Sequence, residues 1–387
     1  MNHEDIRKTT VIGAGAMGHG IAQVISMAGV KVFLNDIKQE YLDSAVSNIR
    51  DSLNFLVGKG KISQEEMDDI LQNRLETSLD LQAAVSDAQL VVEAVPENMN
   101  LKKSIFRDIS EQAPQEAILG SNTSTMSITE LSREVKNPER MLGMHFFNPV
   151  NRMKLVEVIA CESTREEYMD TICEFSKKCN KIPVKVLKDS PGFIVNRINA
   201  PNQALVNAVL EEGKIPPSAI DTSLKGVGMP MGAFELSDYV GLDVFYDTLQ
   251  YYSETLSNDY KPGSYVQQRI ENRELGMKSG KGIYEWKDGK PEYETKEASP
   301  EITPTEFLAL QINEAVKVYK EGLAKSREDI DQAMVYGTKA IAGPFALGAN
   351  LGAEQITNAL EKIRDRYGLS ISEPEPEVRD GSFKEFT

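Results

Sequence analysis

The stretch KTTVIGAGAMGHGIAQVISMAGVKVFLND, residues 8–36, decides the fold. A short strand-like run at 10–12 leads into Gly13, Gly15 and Gly18, spaced G-x-G-x-x-G. A helical run at 17–27 follows, then an apolar run at 30–34 that ends at Asp36. The order is strand, glycine turn, helix, strand, acid, with the acid about 20 residues beyond the turn, as a dinucleotide fingerprint requires. Each part has its own task. Gly13 lets the chain turn tightly, Gly15 leaves backbone bare for a pyrophosphate, and Gly18 lets helix and strand pack closely. The helix start offers free N–H groups and a positive dipole end to phosphate. Asp36 can accept from both ribose hydroxyls, and its charge repels a 2′-phosphate, which favours NAD over NADP.

The totals bound the rest. A chain of 387 residues has room for two or three domains. Its 41% hydrophobic and 26% charged residues are ordinary for a globular protein. A formal net charge of -16 makes it a poor binder of nucleic acid or of anionic membranes. Any anionic ligand must then be held by local Lys, Arg or backbone N–H groups. Cys161, Cys173 and Cys179 show no metal spacing and no even framework, so no metal is expected and a reducing cytoplasm fits. The opening MNHEDIRK lacks an apolar signal region, and no apolar run approaches the ~20 residues of a membrane span.

Beyond Asp36, residues 38–57 read as a helix that breaks at Gly58-Lys59-Gly60-Lys61. Ser63, with Glu66 three positions on, marks a second helix start. The stretch 38–75 is therefore expected to be a helical hairpin inserted between strands, with Lys59 and Lys61 at its tip. Two tip lysines are usually just solvated; the alternative is a clamp for a phosphate-bearing substrate. Residues 90–95 (LVVEAV) form a continuous apolar strand, as in a parallel sheet covered on both faces. It ends in Pro96-Glu97-Asn98, and residues 101–111 read as the next helix. A strand at 117–120 ends in Ser121-Asn122-Thr123-Ser124. Strands at 140–147 and 154–160 carry His145 and Glu157, and 182–187 closes the sheet.

Composition changes at 188–192 (KDSPG), and periodicity is helical afterwards. An ordered set of marks then occurs twice. Glu212-Gly213, Ile220-Asp221, Gly226, Gly232-Ala233-Phe234 and Gly241 reappear as Glu321-Gly322, Ile330-Asp331, Gly337, Gly343-Pro344-Phe345 and Gly352. The fold class expected is α/β: a Rossmann-type doubly wound sheet domain at 1–188, then an all-α, internally duplicated domain with copies at 189–295 and 300–387. Residues 287–304 read as the linker, and the acidic stretch 373–387 as a loose tail.

Of the three histidines, His3 lies in the N-terminal tail and His19 at a helix start. His145 ends a strand at the edge where open α/β sheets bind ligands. A lone strand-end histidine is more often structural than catalytic. Glu157 alters that balance, because the short 148–153 connection can fold its strand back beside the first. A carboxylate on one imidazole nitrogen fixes the tautomer and stabilises the imidazolium, leaving the other nitrogen free to take a hydroxyl proton. Oxidation of an alcohol by NAD needs such a base.

With these residues in place, the chain resembles the 3-hydroxyacyl-CoA dehydrogenases, specifically the monofunctional 3-hydroxybutyryl-CoA dehydrogenase type, over nearly its whole length. The matching blocks are VIGAGAMGHGIA, LVVEAVPEN, SNTSTMSIT, GMHFFNPV with MKLVEVI, DSPGFIVNRI and PMGAFELSDYVGLD. The resemblance implies His145 as general base and Glu157 as its charge partner. It implies that Ser124 bonds the substrate 3-oxygen and that Asn196 completes the site from the helical domain. Asp36 matches the adenosine-ribose acid, and Glu97, Lys102 and Asn148 match residues lining the nicotinamide half. Ser52 and Lys59 match positions touching CoA, which supports the clamp reading. The cofactor implied is NAD and the partner an acyl-CoA, in the cytoplasm. Ala233 departs from the usual proline, which Pro344 keeps in the second copy. Single-unit relatives dimerise through one helical unit, so a duplicated unit implies a monomer with an internal pseudo-dimer, or a homodimer. The alternatives are a dehydrogenase of a non-CoA acid, of carnitine or gulonate type, and a catalytically silent NAD-binding protein.

Overall fold

The computed structural model describes residues 2–294 and 297–387. Eight strands make its main sheet: β1 (Lys8–Ile12), β2 (Lys31–Asn35), β3 (Leu75–Ser78), β4 (Leu90–Glu93), β5 (Ile118–Ser121), β6 (Met141–Phe146), β7 (Leu155–Ala160) and β8 (Ile182–Val186). Their order is β3-β2-β1-β4-β5-β6-β7-β8. The first six run parallel, β7 runs antiparallel to β6, and β8 runs parallel to β7. The chain moves outward from β1 to β2 and β3, then crosses to β4 on the other side. The switch of direction therefore lies between β1 and β4, where such sheets open a ligand crevice at their carboxyl ends. β4 and β6 are buried along their whole length, which is why both read as largely apolar runs, broken only by Glu93 and His145.

The insertion between β2 and β3 opens with two helices. Helix Gln39–Gly58 is followed by helix Gln64–Asp69, which Ser63 caps by accepting the Glu66 N–H at 3.0 Å. The second arm does not stay α-helical to residue 75. It widens into a π-turn, Ile70–Arg74, and yields the edge strand β3. Only Leu75 of that strand is buried, so its sequence carries no alternation to announce it.

The molecule divides into two compact units. The first holds the chain up to Ile194 together with Gly322–Ile341; the second holds Val195–Glu321 and Ala342–Thr387. A piece of the second helical copy thus belongs to the sheet unit. There the Leu187 N–H donates to the Leu323 carbonyl at 2.7 Å, and helix Arg327–Thr338 packs against β7 and β8.

Within the helical unit, helix Val195–Glu212 packs against its repeat counterpart, Pro304–Lys320. Arg197, nearly buried, reaches across to Glu314 and, at 3.1 Å, to Glu321. Arg366 binds Glu212 at 2.8 Å. The stretch 373–387 is not a loose tail. It forms helix Pro376–Asp380, buries Val378 and Phe383 fully, and stacks Phe386 on Tyr319 with ring centroids 4.3 Å apart. Lys320 pairs with Glu375 at 2.7 Å and with Glu377 at 2.9 Å. Average acidity hid a few well-placed apolar anchors. At the start of the expected linker, Glu285–Lys287 pairs antiparallel with Lys290–Glu292, which lies inside it. Residue 295, the expected end of the first copy, lies outside the described residues. No described helix is long and apolar enough to cross a membrane.

Phe383→Ala removes a fully buried ring. It should cost about 3–5 kcal/mol and lower the unfolding midpoint of the helical unit in a denaturant titration. An unchanged midpoint would show that the segment is a tail after all.

Candidate active site

The nucleotide end is built by the glycine turn after β1. Gly13 has a φ of +97°, and a Cβ there would lie 2.6 Å from the Ala94 carbonyl oxygen. A Cβ on Gly18 would lie 1.7 Å from the Gly13 oxygen, so helix Gly18–Met27 approaches its strand as only glycine permits. Gly15 differs: a Cβ built on it meets nothing within 4 Å. Its backbone faces open space beside a helix start that no side chain caps. Bare backbone, open space and unspent N–H groups fit a pyrophosphate. Asp36, at the carboxyl end of β2, accepts the Ala14 N–H at 2.7 Å through Oδ2 and the Ile37 N–H at 2.7 Å through Oδ1. The acid therefore braces the glycine turn and keeps lone pairs for a ribose.

Three strands further along the same edge lies the imidazole. β7 returns beside β6 with His145 and Glu157 as register partners. The His145 Nδ1 is 2.7 Å from Glu157 Oε2, with His145 5% exposed and Glu157 not exposed. The second carboxylate oxygen accepts the Ile194 N–H at 3.1 Å. Phe147 and Phe193 lie against the imidazole with centroids at 4.4 Å and 5.8 Å. Since an ionised carboxylate only accepts, Nδ1 carries the proton, and Nε2 of the neutral ring is the basic nitrogen.

Between the two ends stands Glu97. Its Oε1 accepts the Ser124 N–H at 3.0 Å and the Thr125 hydroxyl at 3.3 Å, as well as the Thr123 hydroxyl. Burial alone would raise its carboxyl; the Lys102 ammonium, the Thr123 hydroxyl and the Ser124 N–H outweigh it and hold the group below the usual carboxylate range. Lys102, expected to line the nicotinamide half, has a side chain only 1% exposed. Its ammonium meets Glu93 at 2.6 Å, the Val95 carbonyl at 3.2 Å and Glu97 at 3.2 Å, so it touches the groove through Glu97. Glu93 also accepts from the Ser121 hydroxyl at 2.6 Å. Sequence reasoning passed over Glu93, though one acid inside LVVEAV was a signal: a buried charge implies a buried partner. Asn122, from the polar cluster after β5, uses its Oδ1 to accept the Phe146 N–H at 2.9 Å and so ties that loop to β6.

The 148–153 connection is held from three sides. Lys181, nearly buried, donates to the Met153 carbonyl at 2.8 Å and to the Val150 carbonyl. Burial and the nearby Lys154 push its ammonium down to about 8. Val150 fills the space that a Cβ on Gly20 would need, its own Cβ being 2.8 Å away. Ser52 accepts from Gln23 and from Asn151, both at 2.9 Å, and so joins the hairpin to the nucleotide helix and to this connection. Asn148 is exposed after β6. Lys59 is exposed at the hairpin tip, with its ammonium 5.6 Å from the centre of the Phe55 ring. Asn196 is the second residue of helix Val195–Glu212 in the other unit. The sheet unit thus brings Gly13, Gly15, Gly18, Asp36, Glu97, Ser124, Asn148, His145 and Glu157 to one sheet edge.

Comparison with known proteins places the whole chain in one family. The model of the 3-hydroxyacyl-CoA dehydrogenase NAD binding domain matches residues 8–190. The model of the C-terminal domain of the same family matches 192–286 and again 305–381. An Escherichia coli protein named 3-hydroxyadipyl-CoA dehydrogenase is 32% identical, over 94% of this chain and 95% of its own. A crystal structure of 3-hydroxybutyryl-CoA dehydrogenase from the same species superposes with a TM-score of 0.86 at 30% identity, covering 97% of this chain and 98% of that one. The pig mitochondrial hydroxyacyl-coenzyme A dehydrogenase is 37% identical over 73% of this chain and 92% of its own.

Gly18→Ala puts a methyl group 1.7 Å from the Gly13 oxygen. The turn must open, and NADH affinity, read by fluorescence titration, should fall by roughly 10-fold or more. Unchanged affinity would contradict the site.

Proposed function

The chain belongs to the 3-hydroxyacyl-CoA dehydrogenase family, with NAD as its cofactor, and we propose that it oxidises a short-chain (S)-3-hydroxyacyl-CoA, such as 3-hydroxybutyryl-CoA, to the 3-oxoacyl-CoA, reversibly. The observation that carries this reading is the buried His145–Glu157 pair, at 2.7 Å, on the sheet edge that also bears the glycine turn. NAD, when bound, accepts hydride from substrate C3. His145 Nε2 takes the 3-hydroxyl proton as that carbon is oxidised. Glu157, which holds Nδ1–H, stabilises the imidazolium formed.

Ser124 donates to the 3-oxygen, its backbone held by Glu97 at 3.0 Å. Asn196 completes the oxygen and thioester contacts; it follows closely after Ile194, whose N–H Glu157 accepts. Glu97 and Asn148 face the nicotinamide half, with Lys102 holding Glu97. Ser52 and Lys59 meet the CoA part. The cation at the exposed hairpin tip favours a phosphate-bearing thioester over carnitine or gulonate. The helical copies form an internal pair, supported by the packing of Val195–Glu212 on Pro304–Lys320. The cytoplasm is the compartment we assign, since the three cysteines are free and buried.

The test is loss of nicotinamide absorbance with acetoacetyl-CoA and NADH, run beside 3-oxoadipyl-CoA and longer 3-oxoacyl-CoA substrates. Acetoacetyl-CoA should give the highest kcat/KM, and NADPH should serve poorly. His145→Ala should lose roughly 10²–10⁴-fold in kcat with NADH affinity unchanged. Glu157→Gln should lose on the order of 10²-fold or more, because the imidazolium loses its counter-charge. A wild-type rate in either variant contradicts the roles assigned. Faster turnover of a long-chain or dicarboxylic substrate contradicts the substrate class.

A further inference from the structure

One carboxylate joins the Ser124 loop to the His145–Glu157 pair without belonging to either. Asp189 Oδ2 accepts the Ser127 hydroxyl at 2.6 Å and the Thr129 N–H at 2.8 Å. Ser127 caps helix Ile128–Ser132, accepting the Glu130 N–H at 3.0 Å, so its hydroxyl is bonded in both directions. The loop from Ser124 to Ser127 is therefore fixed at both ends: Glu97 holds the Ser124 N–H at 3.0 Å, and Asp189 holds Ser127.

Asp189 also opens a turn that ends on the catalytic pair. The Phe193 N–H donates to the Ser190 carbonyl at 2.9 Å, with φ at +78° for Gly192 and +56° for Phe193. A bulky residue in the left-handed region is uncommon and persists only where its surroundings over-determine it. Here the surroundings are the site itself. Phe193 is fully buried with its ring 5.8 Å from the imidazole, and the next N–H, of Ile194, donates to Glu157 at 3.1 Å. Six consecutive residues thus grip the Ser124 loop at one end and the His–Glu pair at the other.

We propose that Asp189 is a positioning residue for the dehydrogenation: it sets the loop that carries Ser124 in register with His145 and Glu157. This rests on the role assigned above to Ser124. Hydrogen-bond catalysis of this kind depends on placement, and a shift of about 1 Å is worth on the order of 10²-fold in rate.

The experiment is a double-mutant cycle in the full-length protein, with acetoacetyl-CoA and NADH. Asp189→Ala should lower kcat about 10- to 100-fold. Asp189→Asn, whose amide oxygen can still accept from both donors, should stay within about 3-fold of wild type. NADH affinity should be unchanged in both. In a Ser124→Ala background, Asp189→Ala should cost less than about 2-fold more, because the group it places is gone. Losses that multiply in the double variant overturn the proposal, as does a wild-type kcat for Asp189→Ala, or an NADH affinity that falls with kcat. Ser124→Ala alone at wild-type rate overturns the Ser124 assignment, and this proposal with it; a slow Ser124→Ala with multiplying losses overturns only the proposal. If Asp189→Ala does not fold, Ser127→Ala breaks the same bond from the other side and must show the same loss.

Discussion

The hydrogen bond between the His145 imidazole and the Glu157 carboxylate constrains everything around it. Both groups are buried, and a buried carboxylate without partners is expensive, whereas a satisfied one is strong because little water screens it. Satisfaction needs two donors, and they come from separate parts of the chain: the imidazole on β6 and the Ile194 N–H beyond β8. The first donor exists only because β7 runs back beside β6 in one register. Side chains alternate along a strand, so a slip of one residue would send Glu157 to the opposite face. The tightly held 148–153 connection protects that register, with Lys181 on its carbonyls and Asn151 bonded to Ser52.

The parallel strands do the assembling. In a parallel sheet every strand ends at the same edge, so residues distant in sequence share it without long-range side-chain scaffolding. The glycine turn follows β1, Asp36 follows β2, Glu97 follows β4, Ser124 follows β5 and His145 closes β6. The antiparallel β7 breaks this rule, and that exception supplies Glu157. The base therefore owes its orienting partner to the strand that departs from the parallel pattern.

Much of this was legible because its physical causes are local. Covered strands are mostly apolar, so β4 and β6 announced themselves despite Glu93 and His145. The glycine turn carried its requirements in three positions and an acid. Even the His145–Glu157 contact was readable, because the few residues between the strands are too few for a crossover and force an antiparallel return. The rest was set by tertiary context. β3 carries almost no buried side chain and so no pattern. The terminal segment looked like an acidic tail because composition averages over Val378 and Phe383, which alone decide its packing. Helix Arg327–Thr338 has the periodicity of its repeat partner, and nothing in that periodicity says it packs on the sheet unit. Glu93 and Asp189 act through partners 9 and 62 positions away, a pairing that no local window can show.

The central claim is that Glu157 holds the proton on Nδ1 of His145 and leaves Nε2 as the base. Nitrogen-15 NMR of the protein labelled at its three histidines reads this directly, His145 being assigned by its loss in His145→Ala. The account predicts that the neutral imidazole of His145 carries its proton on Nδ1, with Nε2 bare. A His145 protonated at Nε2 in the neutral form would contradict it.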